Sequence, residues 1–157
     1  MKKIPLTQGL FALVSDEDFV HLMRWLWLAV KQKNTYYAVR RNKKPDGKIE
    51  IIHMHRVVMN APDGLEVDHR NRNGLDNQRH NLRIATSQQN SMNIGLRSNN
   101  TSGHIGVCWD KRSQRWKAKL TFNYKTINIG YFDEKDLAIA ARKDAEKKYY
   151  GEFAPQN

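Results

Sequence analysis

Nine consecutive residues toward the C-terminal end, Arg115–Asn123, alternate strictly between apolar and polar side chains. Trp116, Ala118, Leu120 and Phe122 fall on one parity, and Arg115, Lys117, Lys119, Thr121 and Asn123 on the other. A period of two belongs to the β-strand; a helix would scatter both sets around its axis. The segment is therefore expected to be a strand with an apolar face on a core and a cationic face in solvent. Ile105, Val107 and Trp109 precede it in the same alternation, and Ile127, Ile129 and Tyr131 follow a turn near Asn123–Tyr124, which predicts three antiparallel strands. After Asp133–Glu134 the spacing becomes helical. Leu137, Ala138, Ala141 and Ala145 form a small-residue stripe for close packing on the sheet, and Gly151 is the expected stop.

The N-terminal part reads differently. Ile4–Leu6 and Leu10–Ser15 are expected as short strands around a turn at Gln8–Gly9. Ser15 before Asp16, Glu17 and Asp18 suits a helix start, with Phe19, Leu22 and Met23 at helical spacing. Thr35–Arg40 alternates again, and Ile49–Met54 follows the turn at Pro45–Asp46–Gly47. Trp25, Trp27, Tyr37, Val39, Ile49 and Ile52 are the expected core. From Met54 to about Ile94 regular pattern thins out and Asn, His, Arg and Asp accumulate, as in a loop-built functional region.

Charge narrows the range of partners. Lys and Arg number 27 against 16 Asp and Glu, a formal net of +11; residues 1–100 carry +7 of it and residues 101–157 carry +4. Such a surplus attracts polyanions, either nucleic acid or an anionic membrane face. The longest apolar stretch, Trp25–Val30, falls far short of the roughly 20 residues a membrane span needs, and Met1–Thr7 does not resemble a secretory signal. One cysteine, Cys108, allows neither an internal disulfide nor a cysteine-based zinc cluster. A soluble, cytoplasmic protein with no membrane partner and no small-molecule cofactor is expected. The densest charge is Lys31, Lys33, Arg40, Arg41, Lys43, Lys44 and Lys48 against Asp46 alone. Such a run can be a solvated hairpin face; the interleaved Tyr36 and Tyr37 favour a phosphate-tracking surface modestly.

The chemistry-bearing residues cluster between these regions. Asp68 and His69 stand side by side where a short strand should end. Asn81 follows twelve residues later at the start of a second expected strand, Asn81–Ala85, and Asn90 nine residues after that. Thr86 and Gln89 have capping-box spacing, so a helix should begin there with Asn90 near its first turn. Two strands and a helix would gather Asp68, His69 and Asn90 in one cleft.

At Val67–Asp68–His69, Gly74–Leu75–Asp76–Asn77, Asn81–Leu82–Arg83 and Thr86, Gln89 and Asn90, the chain resembles the HNH nucleases, most closely their phage and intron-homing branch. Ile4–Thr7, Ala12–Val14, Asp16–Asp18 and Met54–His55–Arg56 extend the resemblance over about the first hundred residues. Asn90 stands where the family's last histidine often does, giving an H-N-N pattern. The resemblance implies that Asp68 and Asn90 hold one divalent cation, Mg2+ with Mn2+ as a substitute. His69 would be the general base and Asn81 would tie the loop and orient it. Arg70, Arg72, Arg79 and Arg83 flank the site and could hold phosphates; His55–Arg56 reads as a structural or DNA-contacting pair and His80 as supporting or exposed.

The C-terminal segment resembles the ethylene-response-factor (Apetala-two) DNA-binding domain. The matching residues are Ser102–Gly103, Gly106–Val107, Trp109, Arg115–Trp116, Ala118, Ile129–Gly130, Phe132, Ala138, Ala141, Ala145 and Tyr150–Ala154. That resemblance implies a sheet laid in the major groove, with Arg112, Arg115, Lys117, Lys119 and Thr121 facing bases or phosphates; Trp109 and Trp116 are expected in the core.

Together these readings predict an α+β protein. Residues 1–95 would be the nuclease domain with its strand–strand–helix metal core at 54–94, residues 96–101 a linker, and residues 102–157 the reader. The expected activity is metal-dependent hydrolysis of double-stranded DNA by a monomeric homing-type endonuclease. The rival is a non-catalytic DNA-binding regulator with a degenerate core.

Overall fold

The computed structural model describes residues 1–32 and 34–155; Lys33, part of the cationic run, lies outside the described residues. The fold is α+β. The chain divides into two compact units, Met1–Asn90 and Ser91–Asn157.

In the first unit, β1 (Lys2–Pro5) and β2 (Phe11–Val14) pair antiparallel, and α1 (Asp16–Leu22) begins after Ser15 with three acids in its first turn. A second sheet follows from β3 (Leu28–Gln32), β4 (Thr35–Lys43) and β5 (Ile49–His53), in antiparallel order with β4 at its centre. The helix α2 (Met54–Met59) leads to β6 (Glu66–His69), β7 (Asp76–Asn77), β8 (Leu82–Ala85) and the single turn α3 (Ser87–Asn90). β6 and β8 form an antiparallel pair, while β7 adds to β2 in parallel. Ile4, Val14, Leu22, Trp27, Met54 and Leu82 meet in one core.

Three expectations change. The strand expected to reach Met54 ends at His53, where α2 begins. The opposite edge strand β3, paired with β4, arises from the apolar stretch that had been given no strand. Ile49, expected in the core, is 62% exposed, because the outer strand of this sheet leaves one parity in solvent.

The second unit carries β9 (Val107–Asp110), β10 (Arg115–Phe122) and β11 (Lys125–Phe132), all antiparallel with β10 central, followed by α4 (Lys135–Tyr150). Asn123 and Tyr124 have φ of 49° and 59°, the double left-handed turn whose twist suits a two-residue hairpin. Val107, Ala118 and Ala138 form the buried centre, with Trp116, Ile129, Phe132 and Ile139 around it. Trp109, expected in the core, is 42% exposed and meets Trp116 edge to face at 5.3 Å.

The helix stripe also needs correction. α4 buries Ala138, Arg142, Glu146 and Tyr150, a spacing of four, whereas Leu137 is 53% exposed. Arg142 Nε donates to Glu146 Oε1 at 2.9 Å, Arg142 Nη1 donates to the Lys119 carbonyl, and Tyr150 Oη donates to the Thr121 carbonyl at 2.8 Å. The helix is thus fastened to β10 by buried polar bonds. Buried groups of this kind must be paired to be tolerated.

Candidate active site

The site is built on the β6–β8 hairpin. Its register sets Asp68 opposite Arg83 and His69 opposite Leu82. Side chains alternate along a strand, so Glu66 and Asp68 leave β6 on one face and Val67 and His69 on the other. Thr86 and Gln89 close the predicted capping box: the Thr86 N–H donates to Gln89 Oε1 at 2.8 Å, and the Gln89 N–H donates to Thr86 Oγ1 at 3.2 Å.

On the first face, Arg83 Nε and Nη2 donate to Asp68 Oδ2 at 2.7 and 2.6 Å. Asp68 and Arg83 are 4% and 6% exposed. Asn90 Nδ2 donates to Glu66 Oε2. A carboxylate can only accept, so the Asn90 amide must turn its nitrogen to Glu66 and its carbonyl oxygen away. By strand parity this face carries Glu66, Asp68 and the oriented Asn90 amide, hard oxygen donors of the kind Mg2+ prefers, with Asp68 already engaged by Arg83. Among the described residues no group of three or more His, Cys, Asp or Glu is arranged to hold a metal ion. A cation here would use Asp68 and the Asn90 carbonyl and fill its shell from water or substrate.

On the second face His69 enters an aromatic cluster. Its ring lies 5.1 Å from His55 and 5.7 Å from Tyr37, and His53 lies 5.1 Å from His55. Burial pushes the His69 imidazole below its ordinary value, against the pull of Asn77 and the carboxylates of Asp68 and Asp76. His69 is thus biased to the neutral form, which can accept a proton. His55 is pushed down to about 3 by burial, then by His69, His53 and Arg56.

Asn81 sits at the centre of the loop between the strands. It accepts from the Asn71 N–H at 3.1 Å, and its Nδ2 donates to Asn71 Oδ1 at 3.0 Å and to the Asp76 carbonyl at 2.8 Å. The loop is tied to distant elements as well. The Gly74 N–H donates to Thr35 Oγ1, the Arg79 N–H to Ser15 Oγ, and the Leu13 N–H to the Leu75 carbonyl. Gly74 has no room for a side chain: a Cβ there would lie 2.5 Å from the Tyr36 carbonyl and 2.7 Å from the Tyr37 ring.

The sequence-predicted cations fall into distinct settings. Arg79 is clasped by Asp18, with Nε on Oδ2 at 2.9 Å and Nη2 on Oδ1 at 2.7 Å, and by Glu17; it joins the loop to α1 instead of projecting as a free cation. Arg70 is half-buried and Arg72 exposed in the loop. Among the sheet residues, Arg115 pairs with Asp133 at 2.7 Å. Lys117 lies over Tyr131, whose hydroxyl raises the lysine pKa, while Arg112, Lys119 and Thr121 are exposed. His80 is exposed. Glu66 was missed because nothing in the sequence distinguishes it from an ordinary strand carboxylate; its spacing of two from Asp68 was the available signal.

The HNH endonuclease family matches residues 52–92. Protein 3.8 of Escherichia phage T7 is 33% identical over 95 residues, covering 59% of this chain and 76% of that protein. An uncharacterized HNH endonuclease of Acanthamoeba polyphaga mimivirus is 29% identical over 156 residues, covering 96% of this chain and 76% of that protein. No solved structure matches.

Proposed function

The chain carries an HNH endonuclease domain over residues 52–92 and has a viral HNH endonuclease relative, and on that premise we propose that it hydrolyses double-stranded DNA as a divalent-metal-dependent, homing-type endonuclease. The observation that carries the reading is the divergence of Asp68 and His69 from the end of β6. An in-line displacement at phosphorus needs its attacking and leaving oxygens on opposite sides of the phosphate. Asp68 would serve the leaving side and His69 the attacking side, although the strand sends them to opposite faces and not into the single cleft expected from the sequence.

His69 takes the proton from the attacking water; its lowered pKa keeps the ring in the neutral, proton-accepting form while making it a weaker base than a free imidazole. Asp68 and the Asn90 carbonyl would hold the cation, Mg2+ or Mn2+, with Glu66 keeping that carbonyl facing outward. When bound, the cation supplies Lewis-acid stabilisation of the phosphate and the leaving oxygen. Asn81 positions the loop that carries Arg70 and Arg72, which would meet phosphates. The second unit supplies the address in the Apetala-two manner, with Arg115, Lys117, Lys119 and Thr121 on the groove side of the sheet and Arg112 in the turn before β10. The mimivirus alignment, which takes in both units, supports treating nuclease and reader as one enzyme. One site in a monomer cuts one strand per encounter, so the product is a nick. Phage and viral relatives favour action in the host cytoplasm.

The second reading, a DNA-binding regulator with a degenerate core, draws on the burial of Asp68 and His69 at 4% and 5% exposure. Supercoiled plasmid with and without Mg2+ separates the two. The wild-type chain should nick it only with the metal, and His69→Ala should lose about 10²–10⁴-fold in rate while still binding DNA. Equal nicking by His69→Ala, or none by the wild type, would overturn the enzyme reading.

A further inference from the structure

The sheet β3–β4–β5 has one face that the chain itself does not cover at its outer end. The register pairs Arg41 with Ile51, Lys43 with Ile49 and Val30 with Tyr37, so Val30, Tyr37, Arg41, Lys43, Ile49 and Ile51 share a face. Ile49, Ile51 and Val30 are 62%, 49% and 38% exposed, which is unusual company for two cations on a soluble surface.

The charges on this face have one sign. Arg41 and Lys43 are exposed, and among the described residues neither side chain is in an ion pair. Glu50, of the opposite parity, faces away and takes Lys44 and Asn42. Arg40, also of that parity, lies over Trp25 at 4.6 Å. The sequence run of cations is thus sorted by the strand period, with Arg41 and Lys43 left unneutralised.

The inner end of the same face leads to the site. His53 continues the parity of Ile49 and Ile51, and its ring lies 6.1 Å from Tyr37 and 5.1 Å from His55, which meets His69 at 5.1 Å. An occupant of the outer face therefore adjoins the cluster that holds His69.

We infer that this face is a docking surface for the duplex flanking the scissile phosphate, with Arg41 and Lys43 on phosphates and Ile49, Ile51 and Val30 on deoxyribose. The inference rests on the nuclease reading for its substrate. Charge complementarity selects a polyanion over an acid-free apolar partner. Aliphatic side chains beside cations suit the sugar edges of a groove, and the scarcity of exposed aromatics on the face disfavours single strands, which bind by base stacking.

The test measures binding of the full chain to a plasmid-derived duplex across a salt series. Each phosphate contact contributes about 0.9 to the slope of log affinity against log salt. Arg41→Gln/Lys43→Gln should flatten that slope by about 1.8 and raise KM for nicking. Lys48→Gln, whose lysine pairs with Asp46 in the turn, should leave the slope in place. As a second probe, Ile51→Cys in a Cys108→Ser chain, carrying an iron chelate, should cleave DNA beside the nick. An unchanged slope in the double variant, or chelate cleavage far from the nick, overturns the docking surface even if His69-dependent nicking persists. Nicking that survives His69→Ala would instead overturn the nuclease reading and leave the slope to decide the surface alone.

Discussion

Arg83 holds Asp68 directly across the β6–β8 ladder, with two guanidinium nitrogens on one carboxylate oxygen and both side chains almost sealed from water. A buried pair of this kind contributes little over an apolar substitute, but losing one partner strands a charge. Arg83→Ala should therefore destabilise the first unit by about 3–5 kcal/mol. Urea unfolding followed by the fluorescence of Trp25 and Trp27 reads this out; a loss under about 1 kcal/mol, typical of exposed pairs, would show that the pair is not sealed.

Glu66 fixes which end of the Asn90 amide faces outward. Removing such an orienting partner typically weakens metal binding about 10–100-fold. Glu66→Ala should raise the Mg2+ concentration for half-maximal nicking at least about tenfold, while Glu66→Gln, which keeps an acceptor, should lose less. Electron paramagnetic resonance of free Mn2+ in the presence of duplex DNA gives the same ranking without turnover. Indistinguishable Mn2+ binding by the wild type and Glu66→Ala would remove the orienting role.

Acid should weaken the first unit through its buried histidines. His55 is neutral in the fold down to about 3, whereas an unfolded imidazole titrates near about 6.5. Between those values the unfolded chain binds a proton that the folded chain refuses. The stabilisation is therefore complete above about pH 6.5 and falls by about 1.4 kcal/mol per pH unit below it. His53 and His69, both shifted downward mainly by burial, act in the same direction. From pH 7 to pH 5 the wild type should lose about 2 kcal/mol more than His55→Asn in urea melts; parallel losses would refute a buried neutral His55.

Gly106 is required by two independent constraints. Its φ is +73°, and a Cβ would lie 2.3 Å from the Lys119 carbonyl and 2.9 Å from Arg142 Nη1. Gly106→Ala should cost about 1–3 kcal/mol for the left-handed backbone alone, with displacement of the Lys119 carbonyl added to it. Amide exchange should show lost protection at Lys119, whose N–H donates to the Gly106 carbonyl at 2.8 Å. Unaltered exchange there would contradict the close approach.

What the sequence made legible was local. The alternation of Arg115–Phe122 and the Thr86–Gln89 box are set by neighbours along the chain, and both have structural counterparts. What it hid depends on distant partners. β7 has two residues and exists by pairing in parallel with β2, and no two-residue pattern announces a strand. Arg142 and Glu146 have the spacing of a solvent-facing ion pair yet are both buried against β10. Arg79 reads as a loose loop cation, but its carboxylate lies 61 residues away. Ile49 shows the limit of periodicity: alternation identifies two faces but not which of them the rest of the chain will cover.

The lacing of the loop between β6 and β8 sets how this catalytic module can be moved between proteins. The family-matching stretch begins at residue 52, yet the loop is moored to Leu13, Ser15, Asp18 and Thr35. A graft that took only the hairpin and its helical turn would leave those moorings behind. The smallest portable cassette thus reaches back to β2, and recombination or engineering that respects this border would carry an intact blade.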